Sequence, residues 1–221
     1  MSRSPFDPSF EALPHTLPIF PLTGALLLPR GRLPLNIFEP RYLAMIETAM
    51  GERRMIGMVQ PQEGHGDAGE PPVYRTGCAG RITSFSETED GRYLITLAGI
   101  ARFDIARELP QDGAFRRVVP DWQRYRGDLA DEPIDATVDR PRFLAALKRF
   151  LERYEIAADW SAIEGMPAHR LVTTIAMACP FAPREKQALL EAGNGAERAT
   201  LLATLIEMAA HGGEAADHAR H

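Results

Sequence analysis

Short apolar runs separated by glycine and proline dominate the first half of the chain. Two of these runs, 81–86 and 92–97, alternate apolar and polar residues, which is the period of a half-buried strand. Asp90-Gly91 lies between them and favours a hairpin turn, because both residues tolerate positive φ. The run 100–105 alternates again. These patterns predict antiparallel β-structure.

The same kind of pattern places further strands at 17–22, 25–28, 33–38, 55–60 and 115–125. Pro18 and Pro21 lie in the first of them and favour an extended strand at the edge of a sheet. Seven or more short strands with frequent turns indicate a barrel or a sandwich. One helix is expected among them, over 40–50, with Glu39 at the end that suits the helix dipole.

The spacing of apolar residues changes to steps of three and four after residue 139, which is typical of amphipathic helices. We expect four helices, over 141–154, 171–179, 183–190 and 196–210. The chain is therefore expected to divide into a flexible leader 1–14, a β-rich subdomain 15–127, an acidic linker 128–138, a helical subdomain 139–210 and a flexible tail 211–221.

Composition and charge narrow the class of protein. Of the 221 residues, 45% are hydrophobic and 25% are charged, as in ordinary soluble proteins. The formal net charge of −5 argues against bulk attraction to nucleic acid or anionic lipid. No apolar run approaches the ~20 residues that span a bilayer, and the first residues do not resemble a secretion signal. We expect a cytoplasmic protein that binds neither DNA nor membranes.

Sequence motifs for common catalytic sites are absent. No Gly-Lys pair exists for a phosphate-binding loop, and no serine lies in the Gly-x-Ser-x-Gly pattern of a hydrolase. No histidine precedes a glutamate, as a zinc protease motif requires. His211, His218 and His221 lie in a Gly-rich polar terminus and indicate a solvated tail. We therefore expect no enzymatic activity, no cofactor and no metal site.

Three parts of the sequence resemble the amino-terminal domain of Lon proteases. The first part reads Leu-Pro-Ile-Phe-Pro-Leu at 17–22 and Leu-Pro-Leu-Asn-Ile-Phe-Glu-Pro-Arg-Tyr at 33–42. The second comprises the glycine-containing strands over 77–103, and the third is Ala-Pro-Arg-Glu-Lys-Gln-Ala-Leu-Leu-Glu at 182–191. Their order and spacing make the resemblance specific, and it covers roughly residues 15–210.

The resemblance implies an α+β fold, in which a PUA-like pseudo β-barrel with one inserted helix is followed by a C-terminal helical bundle. It implies a non-catalytic polypeptide-binding module, such as an adaptor or regulator of proteolysis. The expected partners are unfolded or extended polypeptide segments and a protease or chaperone. In full-length Lon proteases an ATPase and a peptidase domain follow, and this sequence ends before both. The oligomeric state is not indicated.

Besides a catalytic function that no sequence motif reveals, two alternatives stay open at this point. A polypeptide would bind to exposed apolar and edge-strand surface, with Pro18 and Pro21 limiting indiscriminate pairing. RNA or a small ligand would need a basic patch with exposed aromatic rings. A ligand surface near the loop 29–33 would be bordered by Arg30, Asn36, Phe38, Glu39, Arg41 and Tyr42. The competing interpretation of 38–42 is a purely structural turn between strand and helix.

Overall fold

The computed structural model describes residues 7–62, 71–110, 113–130 and 139–211. The glycine-rich stretch 61–72, which the sequence predicts to be an exposed loop, and the expected leader, linker and tail therefore lie partly outside the described residues. In particular, His218 and His221 lie outside them.

Six strands and six α-helices form the described chain. The strands are β1 (Leu17–Pro21), β2 (Arg32–Ile37), β3 (Met55–Val59), β4 (Thr76–Glu87), β5 (Tyr93–Glu108) and β6 (Arg117–Asp121). The helices are α1 (Pro40–Gly51), α2 (Arg140–Arg153), α3 (Trp160–Gly165), α4 (Ala168–Ala178), α5 (Pro183–Glu191) and α6 (Gly195–His211). Short 3-10 helices cover Phe10–Ala12 and Gln123–Leu129. The α+β class expected from the sequence is confirmed.

The strands form one mixed sheet in the order β2-β5-β4-β3-β1-β6, and β6 also pairs with β5. The β1–β3 pairing is parallel, whereas all other pairings are antiparallel. β5 is 16 residues long, because one half of it pairs with β2 and the other half with β6. It includes residues 93–97 and 100–105, the two alternating runs that the sequence presents as separate strands, except for Arg92.

The position predicted for β1 is wrong. Pro18 and Pro21 led us to expect an edge strand, yet β1 pairs with β3 on one side and with β6 on the other. The backbone N–H of Ile19 donates to Arg116, on the β6 side, and that of Leu22 donates to Val59, on the β3 side. The backbone groups of successive residues point to opposite sides of a strand. The nitrogen of each of these two prolines therefore points to the side on which that residue has no strand partner. The prolines therefore cost the ladder no hydrogen bond.

Two further strand predictions need correction. The apolar run 25–28 forms no strand, although Leu26, Leu27 and Leu28 are fully buried. The strand expected over 115–125 is shorter, Arg117–Asp121, and a 3-10 helix follows it. The described chain thus contains six strands and not seven or more. An irregular segment can be as apolar as a strand when the core covers it on all sides.

By its internal contacts the chain divides into two units. One comprises residues 1–131 together with 180–190, and the other comprises 132–179 together with 191–221. The first unit contains the sheet, α1 and most of α5, and its core includes Leu17, Ile19 and Phe103. The sequence predicts α5 as part of the helical subdomain, whereas its contacts place most of it in the first unit.

Polar side chains attach α5 within the first unit. Lys186 and Gln187 are buried although both are polar. The Lys186 ammonium donates to the carbonyl oxygen of Gly24 at 2.7 Å, and the Gln187 amide donates to the carbonyl oxygen of Thr76 at 3.2 Å. The side-chain amide of Gln60 donates to Pro183 at the start of α5. Each buried polar group named here thus has a hydrogen-bond partner, which such groups require.

The second unit is helical in its described part. α2 buries Phe143, Leu147 and Phe150, which follow the spacing read from the sequence. Asp139 accepts a hydrogen bond from the backbone of Arg142, which caps the first turn of α2. The short helix α3 was not predicted, because six residues are too few to show a period.

Candidate functional site

The six residues predicted to border a ligand surface lie along β2 and at its two ends, up to the first turn of α1. Arg30 precedes β2 with φ of 65°, and its guanidinium donates to the carbonyl oxygen of Ala130. Asn36 is exposed near the end of β2, and the Phe38 side chain is 61% exposed. Exposed residues thus alternate with buried or half-buried ones along this stretch, and the Phe38 ring lies in solvent.

Glu39, Arg41 and Tyr42 form the first turn of α1. The Arg41 guanidinium pairs with the Glu39 carboxylate at 3.0 Å and lies 4.5 Å from the centre of the Tyr42 ring. Tyr42 is buried and packs against Phe20, with ring centres 4.3 Å apart. Glu39 precedes Pro40 at the helix start, as predicted. These contacts support the structural interpretation of Tyr42, while Arg41 remains partly exposed.

A surface cleft of about 160 Å³ lies beside this turn, within the first unit. Its lining is mostly apolar: Ile19, Pro21, Arg41, Tyr42, Pro61, Pro71, Phe115 and Arg116. Two of the six predicted residues, Arg41 and Tyr42, therefore line this cleft, and the other four are not part of its lining.

The charge of Arg116 in the cleft is neutralised by a carboxylate. Arg116 donates to both oxygens of Glu108, at 2.6 and 2.8 Å, and to the carbonyl oxygen of Pro71. These hydrogen bonds to Arg116 hold the pKa of Glu108 below its ordinary value. Since Arg41 is likewise paired with Glu39, both arginines of the cleft lie beside carboxylates.

The second feature of the site is the open edge of β2. Among the residues that the structure describes, β2 pairs with β5 alone, whereas every other strand has at least two strand partners. Alternate residues of β2 are exposed, namely Arg32, Pro34 and Asn36. The sequence placed Pro18 and Pro21 at a sheet edge, but the proline that lies on the edge is Pro34.

Two exposed apolar side chains lie on the next two strands after β2 in the sheet order, β5 and β4, and were not predicted as site residues. Leu94 lies opposite Asn36 on β5 and is 46% exposed, and Phe85 is 42% exposed. The sequence contains a feature that indicates the exposure of each of these two side chains. Leu94 breaks the alternation of its run, since it is apolar in the polar phase. Phe85 follows Ile82 by three positions, which puts both on one face only because a bulge intervenes between Ile82 and Ser84.

Metal-ligand clusters and disulfide bonds are absent among the described residues. Within the described ranges, no group of three or more His, Cys, Asp or Glu side chains is placed to hold a metal ion. Cys78 and Cys179 are both buried free thiols. None of the helices described is long and apolar enough to cross a membrane.

Fold and site together define a class: an α+β domain with a mixed six-stranded sheet, one open sheet edge and an apolar surface cleft. A family model described as the ATP-dependent protease La (LON) substrate-binding domain matches residues 16–208. The chain therefore belongs to the Lon substrate-binding domain family.

Curated relatives agree with this assignment. The chain is 28% identical to a Lon protease of Anaeromyxobacter dehalogenans over 184 residues, which are 82% of this chain and 22% of the relative. It is 28% identical to Lon protease 2 of Myxococcus xanthus over 199 residues, or 89% of this chain and 24% of the relative. The chain thus spans about a quarter of the length of these relatives.

Solved structures show the same fold. A Lon N-terminal domain protein from Xanthomonas campestris superposes with a TM-score of 0.60 at 22% identity, covering 86% of this chain and 97% of that one. The N-terminal domain of a Mycobacterium avium complex Lon protease gives a TM-score of 0.61 at 19% identity, with the same coverages.

Proposed function

We propose that this protein is a non-catalytic module that binds unfolded or extended polypeptide segments. The family is described by substrate binding, and the substrates of a protease are polypeptides. The observation that carries the proposal is the open edge of β2, flanked by the exposed side chains of Phe38 and Leu94. A strand edge offers backbone hydrogen bonds to any extended chain, and exposed apolar groups contribute affinity.

The finer parts of the proposal follow from the resemblance. We propose that the strands form a PUA-like pseudo-barrel and that the helices after residue 139 form a bundle. We further propose that the module acts in the cytoplasm as an adaptor or regulator of proteolysis, with a protease or chaperone as its partner. Binding without catalysis fits the sequence, which lacks Gly-Lys and Gly-x-Ser-x-Gly motifs.

The experiment compares two forms of one reporter protein, a small disulfide-bonded protein and its reduced, carboxymethylated and unfolded form. We expect the purified chain to bind the unfolded form, measured by fluorescence anisotropy, and not the native form. Changing Phe38→Asp together with Leu94→Asp lowers affinity fivefold or more, because charges replace apolar surface at the edge. Both side chains are exposed, so the variant keeps its circular dichroism spectrum.

Met208→Asp is the matched control, because Met208 is 65% exposed and lies on α6 in the second unit. It should bind as the unchanged chain does. Equal binding of native and unfolded reporter, or no binding of either, contradicts the proposal. A single-stranded RNA of random sequence is tested in parallel, and RNA binding that weakens steeply with salt would favour the alternative.

A further inference from the structure

The backbone groups of β2 that face away from the sheet can be assigned from its pairing. Gly31 accepts a hydrogen bond from the backbone of Gly99 on β5, so its carbonyl group faces the sheet. Backbone groups alternate along an antiparallel strand, so those of Leu33, Leu35 and Ile37 also face β5. The N–H and C=O groups of Arg32, Pro34 and Asn36 therefore face outward.

The open edge consequently offers three carbonyl acceptors and two N–H donors over about 13 Å of strand. Pro34 has no N–H and stands between the two donors. A proline at the outward position limits indiscriminate pairing but leaves the carbonyl groups available. The edge is thus suited to a short segment that needs no donor at its centre.

The side chains beside the edge are apolar on one face of the sheet. Leu33 and Leu35 are half-buried there, and Phe85 lies in the same cross-strand row as Leu35 and Ile95. A strand added to β2 would place two alternate side chains directly opposite Leu33 and Leu35. Apolar residues at those two positions would bury surface that is now partly exposed.

Arg32 lies on the opposite face of β2 from Leu33 and Leu35 and carries a positive charge. Its side chain is exposed, and within the part of the chain that the structure describes no hydrogen-bond or ion-pair partner is found for it. A carboxylate on the residue opposite Arg32 would complete a cross-strand ion pair. Charge complementarity therefore selects an acidic residue at that end of the bound segment.

We propose that β2 binds its polypeptide by strand addition, antiparallel to β2, with apolar residues opposite Leu33 and Leu35 and an acidic residue opposite Arg32. The antiparallel direction continues the β4–β5–β2 order of pairing and gives the more stable ladder. The inference rests on the proposed function and specifies its binding mode and its preferred sequence.

The probe is a fluorescent peptide whose core reads Thr-Val-Thr-Val-Glu, with both ends blocked, so that the glutamate carries its single formal charge. In the proposed register its first, third and fifth N–H groups face β2, and its second and fourth face solvent. We expect N-methylation of the third residue to weaken binding tenfold or more, and N-methylation of the second or fourth to change it less than twofold. Equal effects at all positions would overturn strand addition.

A charge exchange tests the register. Arg32→Glu should lower the affinity for the glutamate peptide about three- to tenfold, and a peptide with lysine in the fifth place should then bind this variant better than it binds the unchanged chain. Arg107→Glu is the matched control, since Arg107 is an exposed arginine of β5 that pairs with β6 and not with β2. If the two variants lose the same affinity, Arg32 has no specific role and the proposed register is wrong.

The two proposals fail differently. If the chain binds the unfolded reporter but neither N-methylation nor charge exchange matters, the proposed function stands and strand addition at β2 is rejected. If neither the unfolded reporter nor the peptide binds, both are rejected.

Discussion

Arg102 is the most completely buried charged side chain of the first unit and is held from several sides. It is 3% exposed, and its guanidinium donates to both oxygens of Asp128 at 2.7 and 2.8 Å. It also donates to the carbonyl oxygen of Leu190 at the end of α5 and lies 4.3 Å from the centre of the Tyr125 ring. Such a network stabilises the native state only while all its members are present.

Arg102→Met should therefore destabilise the protein by about 3–5 kcal/mol, because the Asp128 carboxylate stays buried without its cation. Chemical denaturation followed by tryptophan fluorescence measures this. Arg92→Met is the control, since the Arg92–Asp90 pair is about half exposed, and it should cost below about 1 kcal/mol. The double variant Arg102→Met with Asp128→Leu should regain most of the loss. If the double variant does not regain the lost stability, the hydrogen bonds of Arg102 outside the ion pair account for most of its contribution.

The sequence gives no sign of this burial. In the alternating run 100–105, Arg102 and Asp104 occupy the polar phase, which indicates a solvent-facing position. Both are buried, because the face that they occupy is covered by residues distant in sequence, such as Asp128 and Leu190. Periodicity reports which residues share a face, but it does not report what packs against that face. Arg30, Asn36 and Phe38 are exposed, as the sequence suggests for residues that border a surface, but their role in binding stays a prediction.

At the scale of elements, β5 depends on one close approach. The segment after Leu28 is hydrogen-bonded to Gly99. The backbone N–H of Arg30 donates to the carbonyl oxygen of Gly99, and the N–H of Gly99 donates to the carbonyl oxygen of Gly31. A Cβ atom at Gly99 would lie 2.0 Å from the carbonyl oxygen of Leu28. One register shift of the β4–β5 ladder also falls at this point, beside Gly80. Only glycine fits where the irregular segment crosses the strand.

Gly99→Ala should destabilise the protein by about 2 kcal/mol or more, since the backbone of Leu28 must move. Gly51→Ala is the matched control, because Gly51 ends α1 and a Cβ added there would meet nothing within 4 Å. The stability of this variant should change by less than about 1 kcal/mol. Thermal unfolding of both variants measures the difference. Similar melting temperatures would show that the crossing segment adjusts freely.

Elements with a clear period or a cap were predictable. The hairpin at Asp90-Gly91, the start of α1 after Glu39 and the start of α2 after Asp139 agree with the structure. Elements defined by long-range pairing were not. The interior position of β1 and the attachment of α5 to the strands depend on partners about 100 or more residues away, and local pattern carries no signal for these.

For the whole molecule, hydrogen exchange should show with which of the two units α5 unfolds. Its contacts place it with the sheet, so its backbone amides should exchange hydrogen with the same opening free energy as those of β3 and β4. Leu147→Ala in α2 should lower the protection of α2 and α6 and leave α5 unchanged, whereas Leu97→Ala in β5 should lower that of α5. Hydrogen exchange measured by mass spectrometry on both variants shows whether α5 loses protection with the sheet or with the helical unit. Loss of α5 protection in the Leu147→Ala variant would assign α5 to the helical unit.

The pairing of β1 with β6 has a consequence for biosynthesis. Leu17 lies opposite Val118, so the antiparallel partner of β1 is translated about 100 residues after it. At ribosomal rates of about 5–20 residues per second, that interval is roughly 5–20 s. For that time a nascent chain carries one side of a fully apolar strand unpaired outside the ribosome. During its synthesis, a protein proposed to bind extended chains is thus itself an extended chain with an unpaired strand.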